Sequence, residues 1–317
     1  MTAPHPGAPV IGLDLGGTKI AAALVAGDGT VLARHTLPTP AALGPEAVLD
    51  ALAEASLAVR TQDAAALGVA AAGVIDPASG IVVSATDTLR GWAGTALADG
   101  LATRTGLPVA CDNDVRAAAA AELAALDGGE GLTLVYAAVG TGVGGAVAAS
   151  GRVLHGAAGI AGHLGHLPSP EGDGLPCTCG ATGHLEAIAA GPAITAHYTR
   201  LSGSPAGRLE TVAERAARQD PHAVSAITTG ARAAGRVLGG LANALGAHRV
   251  VVGGGVPRIG ALYWDVLCAA FAAELMPPLR ALRPVPPGGG DDAAVLGAAE
   301  LTRTLPLHPP RTSGATP

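Results

Sequence analysis

From Val10 onward the chain alternates between short aliphatic runs and glycine-rich turns. Val10 to Asp14 predicts a buried strand, because a short unbroken apolar run bounded by turn residues suits a strand covered on both faces. "GGTK" leads into a second run, "IAAALV", and "AGDGTVLARHTL" supplies a third, with Asp28 and Gly29 at a hairpin turn. Glu46 to Arg60 repeats with helical period and has Pro45 at its first turn, where a missing N–H is tolerated. "AALGVAAAGVID" predicts one strand, Thr95 to Thr105 a short helix, and Val109 to Cys111 a short strand ending at Asp112. From Asp114, "VRAAAAAELAAL" predicts a longer helix stopped by "DGG". The predicted order is three strands, then helix, strand, helix, strand, helix.

The second half repeats the theme. "LTLVYAAV", "GTGVGG" and "AVAASGRVL" give a strand, a glycine turn and a strand; a helical stretch, Ala223 to Leu245, then precedes the strand "RVVVGGGV". Two related α/β halves, each beginning with a strand pair around a glycine turn, are expected to place a cleft between them. The expected division is residues 1–115, completed by a C-terminal helix at about 291–303, and residues 116–290. The Pro-rich end, 306–317, is expected to be disordered.

Length and composition narrow the picture. A chain of 317 residues exceeds the usual single core, so two domains or one large α/β unit are expected. Phe, Trp and Tyr make up only 2% of the residues, which makes the core aliphatic. A net charge of -6 without any run of Lys or Arg excludes a nucleic-acid surface, which needs clustered cations, and leaves small molecules as substrates. Four cysteines are too few for a disulfide scaffold, so a reducing, cytoplasmic location is expected. No signal peptide is expected, because "MTAPHPGAPV" lacks a basic stretch followed by an apolar one, and no membrane anchor, because Leu132 to Gly151, the long uncharged stretch, is broken by five glycines.

Three clusters offer chemistry. In "DLGGTK", Gly16 and Gly17 let the backbone approach a ligand, while Thr18 and Lys19 offer a hydroxyl and a cation to phosphate; a plain glycine hairpin is the alternative. It is not a Walker motif, since a strand follows where that motif needs a helix. "GTGVGG" satisfies G-x-G-x-x-G at Gly140, Gly142 and Gly145, but strand alternation follows, so a nicotinamide site is rejected. Asn113 and Asp114 sit where a strand meets a helix; an Asp at the positive end of the helix dipole is favoured in its ionised form and suits a proton acceptor, although Asp is also a common helix cap. In "HLGHLPSPEGDGLPCTCGATGHLE", three histidines, His163, His166 and His184, gather with Cys177 and Cys179 as potential metal ligands, against the alternative of a surface loop with incidental polar residues.

Taken together, the glycine turns at 16–17, 140–145 and 253–255 follow the phosphate, phosphate, adenosine order of actin-like sugar kinases, and the chain resembles the ROK family (repressors, uncharacterised frames and kinases) from about Val10 to about Thr302. The resemblance implies a two-domain actin-like ATPase fold, of the ribonuclease H-like kind, with an interdomain cleft. It implies that Asp114 is the general base for a sugar 6-hydroxyl and that Gly73, Asn113, His163, His166 and Glu186 contact the sugar. Asp14, the "GGTK" residues Gly16 to Lys19, Thr141, Gly142, Gly144, Gly254 and Gly255 would hold ATP and Mg2+, with Asp14 the natural magnesium residue. The family's His and three Cys bind a structural zinc; here His166, Cys177 and Cys179 match, and His184 stands for the third Cys. Family members selective for glucose usually carry Glu at the position of His163, whereas the N-acetylmannosamine kinases carry His in "AGHxGH" and share "LEAIAAG". Thr88 stands where members often have a sugar-contacting Asn. The implied activity is ATP-dependent 6-phosphorylation of an amino sugar, best matched by N-acetylmannosamine, in a homodimer; glucose or N-acetylglucosamine phosphorylation and a non-catalytic sugar-binding regulator are the alternatives. A repressor is not expected, since the first glycine turn begins at residue 16.

Overall fold

The computed structural model describes residues 7–85, 88–126 and 131–310. In chain order the strands and helices are β1 (Val10–Leu15), β2 (Lys19–Val25), β3 (Val31–Pro38), α1 (Pro45–Val59), β4 (Leu67–Ala71), β5 (Val74–Asp76), β6 (Ile81–Ser84), α2 (Leu97–Thr105), β7 (Val109–Asn113) and α3 (Asp114–Ala124). They continue with β8 (Leu134–Val139), β9 (Val143–Ala149), β10 (Arg152–Val153), α4 (Glu186–Ala189), α5 (Gly191–Ser202), α6 (Leu209–Ala217), α7 (Pro221–Leu245), β11 (Arg249–Gly253), α8 (Ala261–Glu274), β12 (Pro284–Val285) and α9 (Ala293–Thr304). The chain divides into two compact units, one of Met1–Asp127, His155–Ile160 and Gly288–Pro317, the other of Gly128–Leu154 and Ala161–Pro287.

In the first unit the sheet order is β3-β2-β1-β4-β7, with β1 antiparallel to β2 and parallel to β4, and β4 parallel to β7. The register aligns Leu15 with Ala71 and Ala71 with Asn113, so the carboxyl ends of three parallel strands open together onto Gly16, Gly73 and Asp114. Ligands of open α/β sheets gather at such carboxyl ends. Leu13, Leu52, Val69 and Leu101 belong to the aliphatic core on the α1 and α2 side. On the other face α9 lies close enough that a Cβ at Gly12 or Gly68 would meet the backbone of Val295 or Ala298.

The second unit repeats the sheet as β10-β9-β8-β11-β12, with β8 antiparallel to β9 and parallel to β11. Its carboxyl ends carry the Gly140–Gly142 and Gly253–Gly255 turns. The 25-residue α7, capped by the Asp220 side chain on His222 N and Ala223 N, packs against α8 around Leu238, Leu267 and Phe271. Among the described residues no helix is long and apolar enough to cross a membrane.

Three sequence expectations differ. "AALGVAAAGVID" is not one strand: Gly73, at φ +107°, turns the chain out of the main sheet, and β5 pairs instead with β6. The unit boundary falls after α3, at 127/128 and not at 115, because α3 packs on α9, with Gly297 against the Ala117 carbonyl. Of the Pro-rich end, residues 311–317 lie outside the described residues, while His308 pairs with Val109 and so extends the structure past Pro306.

Candidate active site

In the first unit the "GGTK" turn is closed by Gly16 N–H donating to the Lys19 carbonyl at 3.0 Å and is held from outside by Thr39, whose hydroxyl donates to the Gly16 carbonyl at 2.7 Å. A Cβ on Gly17 would lie 2.7 Å from Thr88 Cγ2, so Thr88 packs on this turn. Asn113 is the N-cap of α3: its Oδ1 accepts from the N–H of Val115 and Arg116 at 3.0 and 3.3 Å. Its Nδ2 donates to the Gly73 carbonyl at 3.0 Å and to Asp114 Oδ1 at 2.7 Å, and Val115 N–H reaches the same Oδ1 at 2.9 Å. The cap therefore fixes the Asp114 carboxylate, and the Gly73 carbonyl holds the cap.

The helix start alone would favour ionised Asp114. Although the side chain reaches solvent, desolvation by the crowded surroundings wins: it pushes the Asp114 carboxyl above the usual carboxylate range, helped by the nearby charge of Asp112 and opposed by the hydrogen bonds from Val115 and Asn113. Asp14 is pushed up to about 6, by burial first and then by the charge of Asp114, against the pull of Lys19. A divalent cation suits an acid so placed, because it would favour the ionised form and supply the charge that burial removes; the Asp14 site fits magnesium on these grounds.

In the second unit the "GTG" turn is held by Gly140 N–H on the Gly142 carbonyl at 2.9 Å and by Gly191 N–H on the Gly140 carbonyl at 2.8 Å. Two of the three glycines that resemble a dinucleotide fingerprint, Gly142 and Gly145, have an internal steric cause. A Cβ on Gly142 would sit 2.7 Å from Glu186 Oε2, and one on Gly145 would sit 2.7 Å from the Gly162 carbonyl. Gly144 lies inside β9, opposite Ala138, and not in the turn itself. Gly254, at φ +97°, has no room for a side chain against Val139, while Gly255, Gly140 and Thr141 line a groove of about 640 Å³ together with Thr195, Thr199 and Glu210. Sequence reading missed those last three; Thr195 and Thr199 share a helix face at i, i+4, the one signal available.

The His163 and His166 rings stack with centroids 6.3 Å apart. The donor atoms of His166, Cys177, Cys179 and His184 all lie within 4.8 Å of one another, with Cys177 Sγ 3.5 Å from His166 Nδ1 and Cys179 Sγ 3.3 Å from His184 Nδ1. A tetrahedral zinc with Zn–S of about 2.3 Å and Zn–N of about 2.0 Å separates sulfur from nitrogen by about 3.5 Å. The set fits zinc in number, ligand type and spacing. Because His166 turns Nδ1 toward Cys177, its Nε2 is the ring atom left for another partner.

Two α/β units with the same strand order, glycine turns at the carboxyl ends of their strands and an Asn-Asp pair at a helix start define a sugar kinase of the actin-like ATPase class. The chain belongs to the ROK family, whose description matches residues 10–304. It is 39% identical over 249 residues to the N-acetylmannosamine kinase of Shigella flexneri, covering 78% of this chain and 83% of the relative. The ROK hexokinase of Thermus thermophilus superposes with a TM-score of 0.81 at 34% identity over 92% of this chain and 97% of that one. A ROK glucokinase of Streptomyces griseus, solved with glucose and AMPPNP, gives 0.75 at 31% identity over 93% and 99%.

Proposed function

We propose that the protein is a cytoplasmic kinase that transfers the γ-phosphoryl group of ATP to the 6-hydroxyl of N-acetylmannosamine, with Asp114 as the general base. The observation that carries the chemistry is the double hydrogen bond from Asn113 and Val115 to Asp114 Oδ1, which fixes one oxygen and leaves Oδ2 as the assigned proton acceptor. A raised carboxyl is the better proton acceptor for a hydroxyl, because its affinity lies nearer the working pH. Phosphoryl transfer asks little covalent chemistry of the protein, so orientation and charge carry the rest. Asn113, Gly73, His163, His166 through Nε2, and Glu186 are assigned to the sugar. Gly16 to Lys19, Thr141 and Gly142 are assigned to the phosphates, and the groove beside Gly255 to the nucleoside. Asp14 would hold magnesium, which would supply the positive charge that offsets the phosphates. His166, Cys177, Cys179 and His184 are assigned to a zinc that braces the loop carrying the sugar contacts. The reducing cytoplasm keeps both cysteines available as ligands.

The amino-sugar assignment is supported by His163 and by 39% identity to the N-acetylmannosamine kinase. Glucose is the second reading, supported by the ROK hexokinase and glucokinase at 34% and 31% identity. ATP-coupled rates on N-acetylmannosamine, N-acetylglucosamine and glucose separate the two: a kcat/KM highest for N-acetylmannosamine is expected, and one highest for glucose overturns the choice.

A further inference from the structure

Glu186 joins two parts of the second unit that the sequence keeps apart. Its Oε2 accepts from Val143 N–H, at the end of the "GTG" turn, at 2.9 Å, and its Oε1 accepts from the Thr178 hydroxyl at 2.5 Å. Thr178 stands between Cys177 and Cys179, so the hydroxyl is carried by the metal-ligand loop, whose own turn is closed by Gly180 N–H on the Cys177 carbonyl at 3.0 Å. Gly142 completes the arrangement, because a Cβ there would lie 2.7 Å from Oε2.

We propose that Thr178 is a positioning residue for the sugar-binding carboxylate, and that Glu186, through Val143 and Gly142, makes the geometry of the "GTG" turn part of the sugar site. The proposal rests on the reading that Glu186 contacts the sugar. A free glutamate side chain has rotamer freedom that a sugar must remove on binding. One donor on each oxygen removes it beforehand. A carboxylate has roughly four lone-pair sites, so occupying one on each oxygen still leaves acceptors for two sugar hydroxyls in a fixed plane. The Val143 hydrogen bond works in both directions: a change in the turn moves Oε2, and a sugar on Glu186 stiffens the turn. Coupling of this kind between two ligands is reciprocal.

The test is calorimetric affinity for N-acetylmannosamine, measured without nucleotide, on the full chain and on Thr178→Val, Thr178→Ser, Gly142→Ala and Glu186→Gln, with metal content determined for each. Loss of one hydroxyl-to-carboxylate hydrogen bond predicts affinity about 3- to 10-fold weaker in Thr178→Val, restored in Thr178→Ser. Gly142→Ala is expected to weaken sugar binding as well, although no nucleotide is present to feel a change in the phosphate turn. It lies outside the metal loop and keeps the test decisive if Thr178→Val loses metal. Parent-like sugar affinity in both Thr178→Val and Gly142→Ala, with Glu186→Gln weakened, overturns the positioning role and leaves the sugar reading intact. Parent-like affinity in Glu186→Gln removes Glu186 from the sugar site and the proposal with it.

Discussion

His155 Nε2 lies 2.7 Å from Asp112 Oδ2, while Arg116 approaches Asp112 Oδ1 at 3.4 Å. Asp112 and Arg116 flank the Asn113-Asp114 pair, and their side chains are each only 2% exposed, against 26% for His155. Arg116 also donates to the Gly159 carbonyl, so the segment 155–160 is fastened at one end to β7 through Asp112 and at the other to the first turn of α3, on either side of Asp114. A buried ion pair is weak evidence of net stabilisation, but breaking it strands a charge. Arg116→Met is therefore expected to cost about 3–5 kcal/mol in urea unfolding, and neutralising both partners, Asp112→Asn with Arg116→Gln, markedly less. A double variant as unstable as Arg116→Met would refute a charge-based origin.

Asp114→Asn should lower kcat by about 10²- to 10⁴-fold while sugar affinity changes little, since the amide keeps an oxygen for the Val115 N–H but cannot take a proton. Because the folded carboxyl is raised and must be ionised to work, kcat/KM in the parent should fall as pH is lowered, beginning above the ordinary carboxylate range. A flat acid limb down to about pH 4 would argue against Asp114 as the base.

Asp14 gives a stability signature with the opposite sign to that of a salt-bridged acid. Its folded carboxyl holds its proton up to about 6, against 3.8 unperturbed, so between those values the folded state binds more protons than the unfolded chain. Stability falls as pH rises through that window, by up to about 3 kcal/mol at 1.36 kcal/mol per pH unit. Asp14→Asn should therefore be more stable than the parent near pH 7 and equal to it near pH 3.5 in metal-free denaturant titrations. Magnesium should raise the melting temperature of the parent more than that of the variant.

How much of this was legible before the structure depends on whether the signal was local. The hairpins, α1, α3 and α7 follow from apolar period and turn chemistry within a few residues. The Gly73 break was hidden because β4 and β5 are both short and apolar, and only the left-handed backbone of one glycine, φ +107°, separates them. Candidate site residues on continuous motifs, such as Gly16 to Lys19, Asn113 with Asp114, and the His/Cys loop, could be nominated from sequence. His155 and Thr178 could not, since the first acts on Asp112, 43 residues away, and the second on Glu186, eight residues away across an irregular loop whose path only folding fixes. Asp112 with Arg116 carried a faint i, i+4 opposite-charge signal of the kind usually dismissed as a solvated helix face.

Metal analysis should return about one zinc per chain. Cys179→Ser should lose the metal and lower the melting temperature, since His184 Nδ1 and Cys179 Sγ, 3.3 Å apart, are two of the four atoms that would hold it. His184→Cys should keep it, because thiolate and imidazole are interchangeable zinc ligands at nearly the same reach. A parent protein free of zinc, with an unchanged melting temperature in the presence of a chelator, would reassign these four residues to a plain turn.

Substrate choice is expected to turn on His163, whose ring stacks against His166 at 6.3 Å between centroids. A neutral imidazole offers one donor and one acceptor, whereas a carboxylate offers acceptors only. A sugar whose 2-position carries an acylamino group presents both a carbonyl and an N–H, while glucose presents a hydroxyl that a carboxylate can receive. His163, exposed in this structure, would be covered by a bound sugar, so His163→Glu should shift the kcat/KM ratio of glucose to N-acetylmannosamine upward by about 5- to 100-fold, the range that one mismatched polar group supplies once desolvated. The shift should appear mainly in the sugar KM, because Asp114 and its cap lie on β7 and α3 and are chemically untouched. An unchanged ratio would move the specificity determinant away from His163, and a fall in kcat alone would mark His163 as a group that touches the reacting end of the sugar.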